Sequence, residues 1–521
     1  MKTDAPLRAA LFPLFLLAGA CNTSVAKPRP APVPVVVAEP AQAAPQDIVT
    51  AAPAAAFAGA LEIGDPYFPG LGNGGYDVEH YDLVLDLDMA SDELAAEVTV
   101  RARALQELTS FSLDLYGLEV HAVRVDGQEA RFERTSPPPG TGRDKKPFKS
   151  GELVVHPAQP LAAGALFETT VRYSGAPAVR PDPSVGFLPG VGWDRKESGV
   201  YVVSECIGAS SWYPCNDHPS DKATYSFRVT VEKPYTAAAN GLLQEISEQD
   251  DTRTFVFAAR APMASYLVTL NVAEFGVLAA EGPRGLPIRT YHPIDASELE
   301  LEPFRRQAEV LAFLETVFGP YPFDSAGAVI AYENLGGALE CQTLPVYSRG
   351  CGVQVIVHEL AHQWYGDCVS PALWRDIWLN EGFASYAEWL WDEHEFGKPA
   401  YEGKAHEAYR RLRRGKTGSP FDPGAARVFS GRVYTRGAMV LYGLRGEVGD
   451  ETFFRILKTW VETQHDGNAS TEDFVQHATQ TTGRDLTSFF DAWLFGELTP
   501  EIPAWEPVEE EEPRRGRREG G

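Results

Sequence analysis

The chain has 521 residues, with 46 Lys or Arg against 72 Asp or Glu and a formal net charge of −26. That balance argues against nucleic acids and anionic membrane surfaces as ligands, and it is compatible with neutral or cationic peptides.

Lys2 and Arg8 flank a short positive start, and residues 9–20 are apolar, ending in Leu16-Leu17-Ala18-Gly19-Ala20-Cys21. About twelve apolar residues fall short of the roughly twenty that a bilayer span needs. Residues 1–20 therefore read as a signal peptide and not as an anchor helix. A Cys directly after small residues looks like a bacterial lipobox. It implies an exported lipoprotein held at Cys21, in the periplasm or at the outer membrane or cell surface; the alternative is an ordinary signal cleaved near Ala20. Residues 21–65 are rich in Ala, Pro and Val, with Pro28, Pro30, Pro32 and Pro34 in alternation. Such a stretch favours extended polyproline geometry and reads as a semi-rigid spacer carrying the lipid anchor.

From 66 to 272 the pattern is that of strands. Leu83, Leu85 and Leu87 alternate with Asp82, Asp86 and Asp88; Phe111, Leu113 and Leu115 alternate likewise, as do Tyr225, Phe227, Val229 and Val231. Asp126-Gly127 after Val123-Arg124-Val125 signals a hairpin. An antiparallel β saddle or sandwich domain is expected here. From 273 to 503 helices take over, at 303–318 with Pro first and Gly319-Pro320 as the stop, then at 434–448, 451–463 and 471–481. The overall class is α+β, in two or three domains. Residues 504–521 carry Glu509 to Glu512 and then four Arg, and read as a solvated, disordered tail. Beyond Cys21 five cysteines remain. Cys206 with Cys215 and Cys341 with Cys351 are the close pairs, but an odd number leaves at least one thiol unpaired or intermolecular.

The chemistry concentrates in His358-Glu359-Leu360-Ala361-His362, followed nineteen residues later by Glu381 in Asn380-Glu381-Gly382. Residues four apart share a helix face, so both imidazoles can reach one ion. Two His and a distant carboxylate make a three-donor zinc site with an open fourth position. Glu359 lies about 100° round the helix, where its carboxylate can take a proton from water. Two solvated histidines on a surface helix are the alternative. Val353, Val355, Ile356, Val357, Leu360 and Ala361 argue against it by making the helix apolar almost all round. A second helix at 380–393 would hold Glu381 near its start.

His358-Glu-Leu-Ala-His-Gln-Trp-Tyr-Gly-Asp367 and Trp374-Arg-Asp-Ile-Trp-Leu-Asn-Glu-Gly-Phe-Ala384 resemble the ligand block of the aminopeptidase N and leukotriene hydrolase family of zinc peptidases. Gly337-Ala338-Leu339-Glu340-Cys341 is similar to that family's Gly-Ala-Met-Glu-Asn element, whose glutamate grips the substrate's amino terminus; here Leu replaces Met and Cys replaces Asn. Tyr434-Thr-Arg-Gly-Ala438 is similar to the segment whose tyrosine stabilises the oxyanion. The run 212–223 looks like the loop by which the family's amino-terminal domain reaches the active site. Twelve residues before Asp217 stands Glu205, which the resemblance makes a second amine anchor, although the Gln common two residues earlier is Val203.

The resemblance spans about 77–503. It implies a β saddle leading into a thermolysin-like, mainly helical catalytic domain with one zinc ion per chain. It implies no helical roof, since 25 residues follow Gly496. It also implies removal of single residues from peptides with a free amino terminus. An endopeptidase or a catalytically silent, metal-stabilised binding lipoprotein are the alternatives.

Overall fold

Alternating burial builds the sheets of the first half. In the strand Tyr76–Asp88, Leu83, Leu85 and Leu87 face the core while Asp82, Asp86 and Asp88 face solvent. Tyr225, Phe227, Val229 and Val231 are the inward set of Lys222–Glu232, as a period of two requires. These strands lie in one eight-stranded sheet. Asp126 and Gly127, both at positive φ (50° and 75°), close its expected hairpin, with Val125 opposite Gln128; a two-residue turn of that twist matches the flanking strands.

The expectation of a purely antiparallel sheet needs correcting, because Lys222–Glu232 runs parallel to its neighbour Tyr76–Asp88. The two strands are far apart in sequence, so no hairpin dictates their direction. A second correction concerns Phe111, Leu113 and Leu115. Their intervening residues Ser112 and Asp114 are buried as well, because the segment around 210–217 covers the other face. Asp114 bridges Cys215 through its backbone, and its Oδ2 accepts from the Asp217 N–H at 3.0 Å and from Asn73 at 2.9 Å. A smaller sheet formed by Gly192–Arg195, Gly199–Val203, Leu270–Ala273 and Thr236–Ala239 delivers Glu205 just past the end of one strand.

The computed structural model describes residues 57–135, 151–185, 190–414, 418–502 and 505. The expected signal peptide, Cys21, the spacer up to residue 56 and the charged tail from 506 lie outside them. The described residues, all within Ala55–Gly521, form one compact unit. Among the described residues no helix is long and apolar enough to cross a membrane.

Helices dominate the second half. The helix expected at 303–318 begins earlier and breaks once. Ser297 caps α1 (Glu298–Arg305) in a reciprocal capping box with Glu300, satisfying two orphan amides of the first turn. Pro303 lacks an N–H, and the chain re-forms after Arg306 as α2 (Gln307–Phe318). Next come α3 (Val353–His362), α4 (Trp378–Phe396) and α5 (Lys398–Arg413), then α6 (Gly437–Val448), α7 (Asp450–Gln464) and α8 (Thr471–Thr482). A five-stranded sheet stands beside them, ordered Phe275–Glu281, Pro287–Pro293, Ala326–Ile330, Val346–Tyr347 and Ala338–Leu339. Its last, edge strand runs directly into Glu340.

All five described cysteines are free. Neither close pair is bonded, because each sulfur faces other neighbours. Cys351 Sγ donates to the Ser348 carbonyl at 3.1 Å, whereas Cys341 lies in a separate apolar cluster with Tyr201 and Val346.

Candidate metal centre and active site

Helix α3 carries His358 and His362 on one face, their ring centroids 4.8 Å apart. Helix α4 presents Glu381 in its first turn, where the helix dipole favours a carboxylate. Ligand atoms of His358, His362 and Glu381 all lie within 4.8 Å of one another.

The remaining ring nitrogens decide what the trio can hold. His358 Nδ1 faces Glu388 Oε1 at 2.8 Å, and His362 Nδ1 faces the Tyr365 carbonyl at 3.1 Å. Both partners are acceptors, so both Nδ1 atoms carry the hydrogen and a neutral ring then leaves a lone pair on Nε2. Those two lone pairs converge on one atom, Glu381 Oε2, at 3.1 and 3.4 Å. Three lone pairs so close repel unless positive charge sits among them. Two imidazoles and a carboxylate are the donors zinc prefers, and the set fits that ion.

The surrounding charge points the same way. Burial lifts the Glu205 carboxyl far above its usual range, and Glu340, Glu381 and Glu359 push it further. Burial likewise raises Glu340, against the pull of His362, and raises Glu359 against His358 and His362. Burial pushes Glu381 up as well, but hydrogen bonds from the two histidines more than offset this and hold it below the usual range. For His358 burial favours the neutral ring, yet hydrogen bonds to Glu381 and Glu388 keep its pKa well above that of a free imidazole. A pocket with this surplus of carboxylates fills with protons until cations replace them.

Tyr434 arrives by a close helix crossing. It lies in a π-turn, Arg432–Arg436, ahead of α6. The expected helix at 434–448 therefore becomes regular only at Gly437. A Cβ on Gly437 would stand 2.7 Å from Gly382 Cα, and a Cβ on Gly382 would stand 2.9 Å from Gly437 Cα. Two glycines thus let α4 and α6 touch backbone to backbone. That contact brings the Tyr434 hydroxyl to Glu381 Oε1, to which it donates at 2.6 Å.

Glu340 is placed by Gln363, the residue after the second histidine. Gln363 Nε2 donates to the Glu340 carbonyl at 2.9 Å, while its Oε1 accepts from the Thr343 N–H at 2.7 Å. Glu340, Glu359 and His362 consequently have ligand atoms within 4.8 Å of one another. Cys341, in the place of the resembled Asn, is fully buried. The backbone beside it is tied by Asn240, which donates to the Gln342 carbonyl at 2.7 Å.

Around these groups is a cavity of about 280 Å³. Glu205, Gly337, Ala338, Glu340, His358, Glu359, His362, Glu381 and Tyr434 all line it, with apolar walls that include Val185, Val203, Leu335 and Phe429. Gly337 contributes wall only, since Ser348 engages both its N–H and its carbonyl. The loop 212–223 does not line the cavity, contrary to what the resemblance implied. Its Lys222 instead donates to the carbonyls of Asp367 and Cys368, behind α3.

Glu388 was missed in the sequence, although it lies seven residues after Glu381, on the same helix face. Partners of this kind typically govern metal affinity by 10- to 100-fold. Glu388→Ala should weaken zinc binding by about that factor, measured by competition with a chelator; unchanged affinity would remove Glu388 from the site.

A model of the Peptidase M1 N-terminal domain matches residues 77–267, and one of the Peptidase family M1 domain matches 338–493. An M1 zinc metallopeptidase from Deinococcus radiodurans superposes with a TM-score of 0.77 at 31% identity, over 86% of this chain and 99% of that one. The chain belongs to peptidase family M1. A mutant M1 enzyme from the same organism, bound to a Tyr-Ser-Ala substrate, matches this M1 chain with the same TM-score, 0.77. Leukotriene A-4 hydrolase from Xenopus laevis is 27% identical over 83% of this chain and 73% of its own length. Aminopeptidase 2 from Candida albicans is 22% identical over 80% of this chain and 46% of its own length. The chain spans about half the length of the first curated relatives it matches. Family and donor set agree on zinc as the metal.

Proposed function

We propose that this M1 chain is a zinc aminopeptidase that removes single residues from the free amino terminus of peptides. One observation carries the reading. Glu205 and Glu340 both line the cavity that holds the metal set, and each has a buried carboxylate oxygen without any hydrogen-bond partner. Unpaired buried carboxylates are costly, and a peptide's terminal ammonium supplies both charge and donors.

Zinc held by His358, His362 and Glu381 supplies Lewis acidity, lowering the pKa of water and polarising the scissile carbonyl. Glu359 takes the proton of the attacking water and hands it to the leaving amine. The Tyr434 hydroxyl, which donates to Glu381 in this structure, turns its hydrogen to the carbonyl oxygen as negative charge develops there. Glu340 and Glu205 hold the ammonium one residue from the bond that breaks.

The purified protein should therefore cleave free peptides stepwise and leave their N-acetylated forms intact, followed by mass spectrometry. A charge-assisted contact of about 1.5–3 kcal/mol predicts that Glu340→Ala lowers kcat/KM roughly 10- to 150-fold while zinc stays bound. Equal cleavage of free and acetylated peptides would replace this reading by an endopeptidase. Zinc binding without any cleavage would make the chain a binding protein.

The same reading includes export and lipid anchoring, supported by Cys21 after Leu16-Leu17-Ala18-Gly19-Ala20 and by the Pro-rich spacer. Stable anchoring takes more than one acyl chain, so the native protein should partition into detergent. Cys21→Ser should release it or block processing. A soluble native protein unmodified at Cys21 would leave an ordinary secreted enzyme.

A further inference from the structure

Behind the active site, the described residues bring together another set of metal-binding side chains. Cys368 Sγ, a ring nitrogen of His465 and a carboxylate oxygen of Asp466 all lie within 4.8 Å of one another. Cys368 follows α3 by a short loop; His465 and Asp466 form the turn between α7 and α8. The two histidine and aspartate groups already meet at 3.1 Å, Nδ1 to Oδ2.

Three further features give this cluster the character of a built site. Asp466 Oδ1 is buried with no hydrogen-bond partner. Asp466 also holds a left-handed backbone at φ 61, uncommon for a residue with a side chain, and its backbone N–H faces the Cys368 sulfur. Finally, the two loops are locked together before any ion arrives. The Ser370 N–H donates to the Gly467 carbonyl at 3.1 Å, and Ser370–Pro371 pairs in parallel with Asn468–Ala469. The sulfur is fully buried, while the His465 side chain is 48% exposed, so the donors run from the floor to a mouth open to solvent.

We propose that Cys368, His465 and Asp466 bind a second transition-metal ion of the zinc class, apart from the catalytic one. One thiolate, one imidazole and one carboxylate are ordinary zinc donors, and solvent fills the fourth position. On binding, the thiol gives its proton to water as the metal–sulfur bond forms, and nothing is oxidised or reduced. Burial pushes the Cys368 thiol up to about 11, so the metal must displace its proton; Lys222, held by the Asp367, Cys368 and Gly467 carbonyls beside the loop, offsets part of that cost. The ion would clamp the loop after α3 to the α7–α8 turn. Tyr365, whose carbonyl orients His362, lies three residues before Cys368, so the clamp braces that anchor from behind.

Cobalt(II) loading of the full chain tests this independently of turnover. The catalytic set offers only nitrogen and oxygen donors, so a sulfur-to-cobalt charge-transfer band in the near ultraviolet reports the second site alone. Two equivalents and that band are expected for the wild type, and for His362→Ala the band with one equivalent. Cys368→Ala and the solvent-facing His465→Ala should each lose the band and one equivalent while still cleaving peptides. A single equivalent without the band at saturating cobalt would overturn the proposal, as would a band that survives either substitution.

Discussion

Glu359→Gln should keep the metal and lose turnover. Glu359 is not one of the converging donors; its carboxylate faces the cavity one residue beyond His358. The amide fills the same volume but cannot accept and return a proton, a function typically worth about 10²–10⁴ in rate. Burial pushes the Glu359 carboxyl up, and Glu340 and Glu381 add to this against the pull of His358 and His362, so a neutral amide in its place should leave stability unchanged or higher. Metal analysis should give the same zinc content for the wild type and for Glu359→Gln, with kcat of the variant lower by that factor. His362→Ala should behave oppositely and lose the ion of this site, because one of the three lone pairs is gone. Full activity in Glu359→Gln would sink the mechanism.

Tyr434→Phe should lower kcat by about 10²–10³, the usual loss when one oxyanion donor is removed. KM should change little, since the hydroxyl is engaged with Glu381 until the carbonyl oxygen gains charge. The phenyl ring keeps its place 6.0 Å from the His358 ring, nearly parallel to it, so the fold and the metal should remain. Gly437→Ala gives a second reading of the same contact. Its methyl would meet the Gly382 backbone at 2.7 Å, forcing α4 and α6 apart and drawing the Tyr434 hydroxyl away from the metal set. Wild-type kcat in both variants would show that Tyr434 is a packing residue.

Much of the site was legible because a helix turns local spacing into geometry. His358 and His362 are one turn apart, and Glu381 was expected near the start of the next helix, where α4 holds it in the first turn. The same rule reaches Glu388 at two turns from Glu381, but Glu388 faces the Nδ1 of His358 and not the converging donors, so ligand spacing does not single it out. Sheet polarity followed as readily from Leu83, Leu85 and Leu87, whereas Ser112 and Asp114 misled because the covering segment lies about a hundred residues away. The free thiols belong to the same class, since nearness of Cys206 to Cys215 in sequence says nothing about where each sulfur points.

The motifs in the sequence thus marked the candidate metal donors and the candidate proton carrier, and the family resemblance named the candidate amine and oxyanion residues. Tertiary structure alone decided that Glu205, Glu340 and Tyr434 share one cavity with the histidines. Each comes from a different element: a strand end in the smaller sheet, an edge strand, and a π-turn. Their meeting depends on contacts between distant segments, namely Gln363 on the Glu340 backbone and the paired glycines 382 and 437. Periodicity carries information over a few turns of one element. Side-chain convergence across elements is set by packing, which no local pattern encodes.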